Sequence, residues 1–155
     1  MDLENLTAVV LAAGIGKRMK TATPKVLHRV LGREMISYVL ASLNEAGIER
    51  PIVVVGHEGR QVVDFVGNRC VYAWQKEQLG TGHAVKCALP QLDGFYGDVI
   101  VTCGDTPLIT AKSYQRLIEE RRRTQSSAVL STMILDNPRS YGRIKRDSSG
   151  NVLGI

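Results

Sequence analysis

Small residues at Ala12, Ala13, Gly14 and Gly16 are followed closely by basic ones at Lys17, Arg18 and Lys25. Small residues let a backbone turn tightly and approach a ligand, because no side chain stands in the way. Cations beside free backbone N–H groups make such a turn a place to hold phosphate. Two common phosphate loops are excluded. A Walker loop needs G-x-x-x-x-G-K-[ST], but Gly16-Lys17 is followed by Arg18, and Leu11 occupies the position of the first glycine. The dinucleotide fingerprint needs a third glycine where Met19 stands. The chemistry read here is a nucleotide-phosphate site of another kind.

Further candidates lie downstream. Asp105, in Cys103-Gly104-Asp105-Thr106-Pro107, is a carboxylate beside a glycine. It suits either a divalent cation held against phosphate oxygens or a turn cap before Pro107. Gln75 and Gln78 carry amides that offer both donor and acceptor, so they either read a pyrimidine edge or stand solvated in a loop. His83, within Gly80-Thr81-Gly82-His83-Ala84, suits a general base or a capping role equally; His28 and His57 make no better case.

Alternating elements must position these groups. The apolar run Ala8–Leu11 reads as a buried strand, as do Ile52–Gly56, Cys70–Trp74 and Val99–Thr102. Ile36, Val39, Leu40 and Leu43 recur with helical spacing, closed by Gly47. Val62, Val63 and Val66 mark a short helix, and Thr81–Leu89 carries Ala84, Val85 and Ala88 on one face. Tyr114, Leu117, Ile118 and Arg121 give another helix, with Thr110 as N-cap. Ala128–Leu135 reads as a strand, and Asp147-Ser148-Ser149-Gly150 as the turn of a hairpin. The expected fold is α/β, a Rossmann-like, mainly parallel sheet flanked by helices. Ligands bind beyond the carboxyl ends of such strands, where the three suspect loops all fall.

Composition sets the outer limits. The 155 residues suit one domain, and 44% hydrophobic with 23% charged residues is ordinary for a globular chain. No apolar run has membrane-spanning length, and the first residues lack the basic and apolar regions of a signal peptide. Cys70, Cys87 and Cys103 are scattered, which argues for reduced thiols in the cytoplasm. The net charge of +5 fits polyanionic small substrates. Arg121-Arg122-Arg123 falls at a helix end, where cations complement the dipole, so neither nucleic acid nor membrane is expected as a partner.

Gly14, Gly16, Arg18, Met19, Pro24 and Lys25 resemble the opening signature of the sugar-phosphate nucleotidyltransferases, with Lys17 where that family carries a small hydroxyl residue. Pro24–His28, Gln75–Ala84, Gly104–Ile109 and Tyr141–Ile144 follow in order. Together they resemble the uridyltransferase domain of the bifunctional N-acetylglucosamine-1-phosphate uridyltransferases/glucosamine-1-phosphate acetyltransferases, across essentially the whole chain. The resemblance implies a nucleotide-diphospho-sugar transferase fold that joins UTP and N-acetylglucosamine 1-phosphate. The products are pyrophosphate and UDP-N-acetylglucosamine, a precursor of peptidoglycan and lipopolysaccharide.

It also implies roles. Leu11, Ala12, Ala13 and Gly14 would wrap the uridine and its phosphates, while Arg18 and Lys25 neutralise phosphate charge. Gln75, Gly80 and Thr81 would recognise uracil, and Cys103 and Gly104 would line the ribose side. Cys103 stands where an aromatic residue is common. Asp105 would bind Mg²⁺, and the Gly142 backbone would contact the sugar. On this resemblance residues 1–155 are the N-terminal, nucleotide-binding part of a truncated domain. The acetyltransferase half, a second metal ligand and further sugar contacts are absent, the full-length protein is expected to be a homo-oligomer, and the isolated chain is expected to turn over little. Other expectations compatible with the same loops are another sugar uridyltransferase, a cytidylyltransferase, or a nucleotide-binding fragment without turnover.

Overall fold

The computed structural model describes residues 5–14, 16, 19 and 21–155. In chain order the elements are β1 (Leu6–Ala12), the hairpin β2 (Arg29–Val30) and β3 (Arg33–Glu34), α1 (Met35–Glu45), β4 (Ile52–Val55), α2 (Gly59–Val66), β5 (Val71–Trp74), α3 (Thr81–Ala88), β6 (Asp98–Cys103), α4 (Ala111–Thr124), and the hairpin β7 (Lys145–Arg146) and β8 (Val152–Gly154).

The central sheet has the order β5-β4-β1-β6, and every neighbouring pair is parallel. Its inner strands explain themselves. Ala8, Val9 and Val10 of β1 and all four residues of β4 are buried, as apolar, largely β-branched runs become when helices cover both faces. Alternation divides them between two layers. Val10, Val53 and Val55 pack with Ile36, Val39 and Leu43 of α1, Val62 and Val66 of α2, and Tyr114 and Ile118 of α4. Val9, Ile52 and Val54 pack with Ala84 and Ala88 of α3 on the other face. The α/β fold is therefore a parallel sheet with helices on both sides.

The strand order creates the site. From β1 the chain steps outward through β4 and β5, then returns to place β6 on the opposite side of β1. With β4 and β5 on one side of β1 and β6 on the other, the loops leaving β1 and β6 stand side by side at their carboxyl ends, where ligands bind in such sheets. Leu11 pairs with Cys103 in this register, and Ala12 with Val55, so the loops that follow start level with one another.

One local expectation is corrected, and two features add to the reading. Ala128–Leu135 is not a strand: among the described residues no strand pairs with it, and Leu130, Met133 and Ile134 are exposed. Thr110 does hold the N-cap position of α4, but its hydroxyl meets Ser113 Oγ at 3.2 Å instead of capping a backbone N–H. The β2–β3 hairpin lay outside the sequence reading. Its turn, Leu31-Gly32, places both residues at positive φ (50° and 79°), as a two-residue type I′ turn requires. The hairpin about Asp147–Gly150 forms as expected, and all three cysteines are free thiols. Among the described residues no helix is long and apolar enough to cross a membrane.

Candidate nucleotide-binding site

A cleft of about 280 Å³ lies at the carboxyl ends of β1, β5 and β6. Leu11, Ala12, Ala13 and Gly14 form its floor. The β6 loop closes on that floor through the Gly104 N–H, which donates to the Leu11 carbonyl at 2.9 Å. A Cβ at Gly104 would stand 3.1 Å from Val26 Cγ1 and 3.3 Å from Leu11 O, so a side chain there would push the two loops apart.

Lys25 opens a 3₁₀ turn (Lys25–Leu27) behind Pro24, whose φ of −51° fixes the entry. From there Lys25 Nζ reaches Asp105 Oδ2 at 2.5 Å, with the two side chains 40% and 26% exposed. Among the described residues no backbone N–H is donated to the Asp105 carboxylate, so its partner is a cation rather than a turn. Two opposite charges facing a cleft are separable by a ligand carrying both signs, such as a metal–polyphosphate, since an exposed pair is worth only about 0–1 kcal/mol. Cys103 lies beside them. Burial, reinforced by the Asp105 charge, pushes its thiol up, which suits a wall residue. Thr106 Oγ1 donates to the Cys103 carbonyl at 2.7 Å and tightens this turn.

The third wall follows β5. Gln75 is buried, anchored by its backbone N–H to the Val55 carbonyl at 2.8 Å. Its side-chain Nε2 lies 3.1 Å from Gly80 O and 3.0 Å from His83 Nδ1. Gly80 takes φ 95°, ψ 179°, a conformation open to glycine, and its carbonyl also accepts the Ala84 N–H at 3.1 Å to begin α3. Thr81 follows on the cleft side. Gln78, weighed above as a base reader, instead donates from Nε2 to the Ala13 carbonyl at 2.5 Å and braces the β1 loop against the β5 loop. His83 is engaged with Gln75, while His28 meets Thr21 Oγ1 at 3.1 Å and His57 is exposed.

The structure thus brings Leu11, Ala12, Ala13, Gly14, Lys25, Gln75, Gly80, Thr81, Cys103 and Asp105 to one cleft, with Gly104 packed beneath. Arg18 and Lys17 lie outside the described residues. Gly142 is elsewhere among the described residues: it packs toward Ile155 in the C-terminal segment and does not line the cleft. Val26 and Ala84 line the cleft without having been singled out in the sequence. Their signal is size alone: a small and a β-branched apolar residue leave room against a flat ring.

Among the described residues no group of three or more His, Cys, Asp or Glu side chains could cage a metal. Asp105 alone fits a hard cation that arrives with phosphate oxygens, the manner in which Mg²⁺ binds beside one carboxylate and several waters.

Residues 8–134 match the family model of the MobA-like NTP transferase domain. The chain is 49% identical over 149 residues to the bifunctional protein GlmU of Heliobacterium modesticaldum, covering 96% of this chain and 32% of the relative. The GlmU of an Exiguobacterium species is 47% identical over 148 residues, covering 96% and 33%. The chain therefore spans about a third of the length of these curated relatives. Among solved structures, HddC from Yersinia pseudotuberculosis, complexed with GMP-PN, superimposes with a TM-score of 0.74 at 25% identity, covering 94% of this chain and 66% of that one. The inositol-1-phosphate CTP transferase from T. maritima gives 0.51 at 30% identity, covering 65% and 43%. By the match over residues 8–134 and the similarity of the fold, the chain belongs to the MobA-like NTP transferase domain family of nucleotidyltransferases.

Proposed function

We propose that this chain binds UTP with Mg²⁺ and joins it to N-acetylglucosamine 1-phosphate, forming UDP-N-acetylglucosamine and releasing pyrophosphate. The observation that carries the reading is the Lys25–Asp105 pair at the mouth of a cleft whose other wall is the fixed amide of Gln75. The near-half identity to GlmU proteins supports the choice of sugar and base.

The chemistry asks little of proton transfer. The sugar phosphate is already an anion, and one of its oxygens attacks the α-phosphorus in line with departing pyrophosphate, so no base is needed. Catalysis is then positioning and charge neutralisation. Lys25 and Arg18 neutralise phosphate charge, Asp105 would hold Mg²⁺, and the metal when bound would supply Lewis-acid charge stabilisation. Backbone at Leu11–Gly14 and the Cys103–Gly104 turn enclose the nucleoside, and Gln75, Gly80 and Thr81 meet the base. Phosphorylated substrates and three free thiols favour the reducing cytoplasm as the setting.

Calorimetric titration of the chain with UTP, CTP, ATP and GTP in the presence of Mg²⁺ tests the nucleotide, and pyrophosphate release with N-acetylglucosamine 1-phosphate tests the acceptor. Preference for UTP by about tenfold or more is expected, since a buried amide left mismatched costs about 1–3 kcal/mol. A preference for CTP would move the chain to the activity named for the T. maritima protein.

A further inference from the structure

We propose that His83 is a positioning residue that sets the base preference of the cleft by fixing which end of the Gln75 amide faces it. A glutamine amide has two N–H donors and one carbonyl acceptor. Gln75 Nε2 lies 3.1 Å from the Gly80 carbonyl and 3.0 Å from His83 Nδ1, so both donors are spent inside the protein. The Gly80 carbonyl identifies this end of the amide as the nitrogen, because an amide oxygen in that place would face another oxygen, but it engages only one N–H, and His83 Nδ1 takes the other. His83 must then offer its Nδ1 lone pair, which leaves its ring proton on Nε2, 3.9 Å from Cys87 Sγ. Gln75 thus donates both to the Gly80 carbonyl and to His83, His83 in turn points its ring N–H at Cys87, and α3 holds His83 and Cys87 one turn apart.

The consequence lies on the other end of the amide. No described residue donates to Gln75 Oε1, and no buried side-chain oxygen among the described residues goes without a partner. Gln75 is buried overall yet lines the cleft, so its carbonyl oxygen is the polar atom it shows there. An acceptor held in place favours a base that donates at ring position 3, as uracil and thymine do. It opposes a base that accepts there, as cytosine does. Without His83, one amide N–H is released and the amide can turn to offer a donor to the cleft.

This inference rests on Gln75 meeting the base, and its test separates the two ideas. The whole chain is titrated by calorimetry with Mg²⁺ and UTP or CTP, as wild type and as His83→Phe, His83→Ala and His83→Asn, with thermal melting to follow the fold. Phe keeps a ring without an acceptor, Ala removes the ring without adding bulk, and Asn returns an acceptor near the place of Nδ1. The expected result is a UTP-over-CTP ratio that falls about tenfold in the Phe and Ala variants and stays within about twofold of wild type in Asn. A merely structural role would weaken both nucleotides alike and leave the ratio in place. If the ratio survives in every folded variant lacking the acceptor, or collapses equally in Asn, the role given to His83 is wrong while Gln75 stands. If wild type itself shows no preference for UTP, the reading of Gln75 fails, and the role of His83 with it.

Discussion

The segment 128–135 and the strand β4 are both apolar runs, yet only β4 is a strand. Every residue of β4 is buried between two helical layers and paired on both sides. In 128–135, Leu130 is 52% exposed and Ile134 101% exposed, and the last buried residue of the chain is Ile118. Apolar, β-branched residues make a segment able to pair. A neighbour with free N–H and C=O groups and a layer to cover its side chains make it a strand. The molecule is thus two regions of different consequence. A packed frame through Ile118 carries the cleft, and an exposed segment follows it.

The largest effect should come from cutting the frame. Ile36→Ala opens a cavity between α1 and the sheet and should cost about 2–5 kcal/mol in urea unfolding. The same truncation at exposed Ile134 should stay within about 0.5 kcal/mol. Equal losses would erase the distinction between the regions.

At the cleft, Lys25→Ala should weaken binding of Mg²⁺–UTP by roughly tenfold or more, the worth of a hydrogen bond to a charged group, while binding of uridine stays within about twofold. Thermal stability should barely change, because the Lys25–Asp105 pair is exposed. Loss of uridine binding to the same degree would mean that Lys25 shapes the nucleoside pocket rather than facing phosphate.

Alkaline pH sharpens the comparison on the frame side. Burial pushes the Cys70 thiol up from 9.0 to about 11. The folded state therefore keeps a proton that the unfolded chain releases, and stability is full below pH 9 and is lost as pH rises toward 11. The fall traceable to this group should be about 2 kcal/mol, and Cys70→Ala should flatten that part of the curve. Burial also raises the phenol of Tyr114, whose hydroxyl lies 3.0 Å from Thr102 Oγ1, so some alkaline slope should persist.

The smallest effect belongs to the exposed segment. Asp147 accepts from the Ser149 and Asn151 backbone N–H groups and from Asn151 Nδ2, which holds its carboxyl below the usual range and closes the β7–β8 turn. Asp147→Ala should loosen the hairpin, seen as faster amide exchange there, without moving the melting midpoint or UTP affinity. A clear drop in either would tie the hairpin to the frame.

These contrasts also explain what the residues made legible. The parallel sheet could be read because β1 and β4 are continuous apolar runs and α1 and α4 carry clean helical periods, signals that packing on both faces produces directly. The convergence of three loops followed from strand ends alone. The partners inside the cleft did not. Gln78 reaching back to Ala13, and His83 turning to Gln75, depend on loop conformations that no period encodes. The Leu31-Gly32 turn escaped notice because leucine seldom takes positive φ. Segment 128–135 misled because its residues state a preference and not a partner.

The central claim is that Asp105 and Lys25 form a metal–triphosphate mouth for the cleft. It is tested most directly by UTP affinity measured with and without Mg²⁺, on wild type and Asp105→Asn. Wild type should bind UTP about tenfold more tightly with the metal present, because Asp105 would hold the cation beside the triphosphate. Asp105→Asn should lose most of that gain while keeping its metal-free affinity. An unchanged gain in the variant would make Asp105 a turn residue and contradict the account.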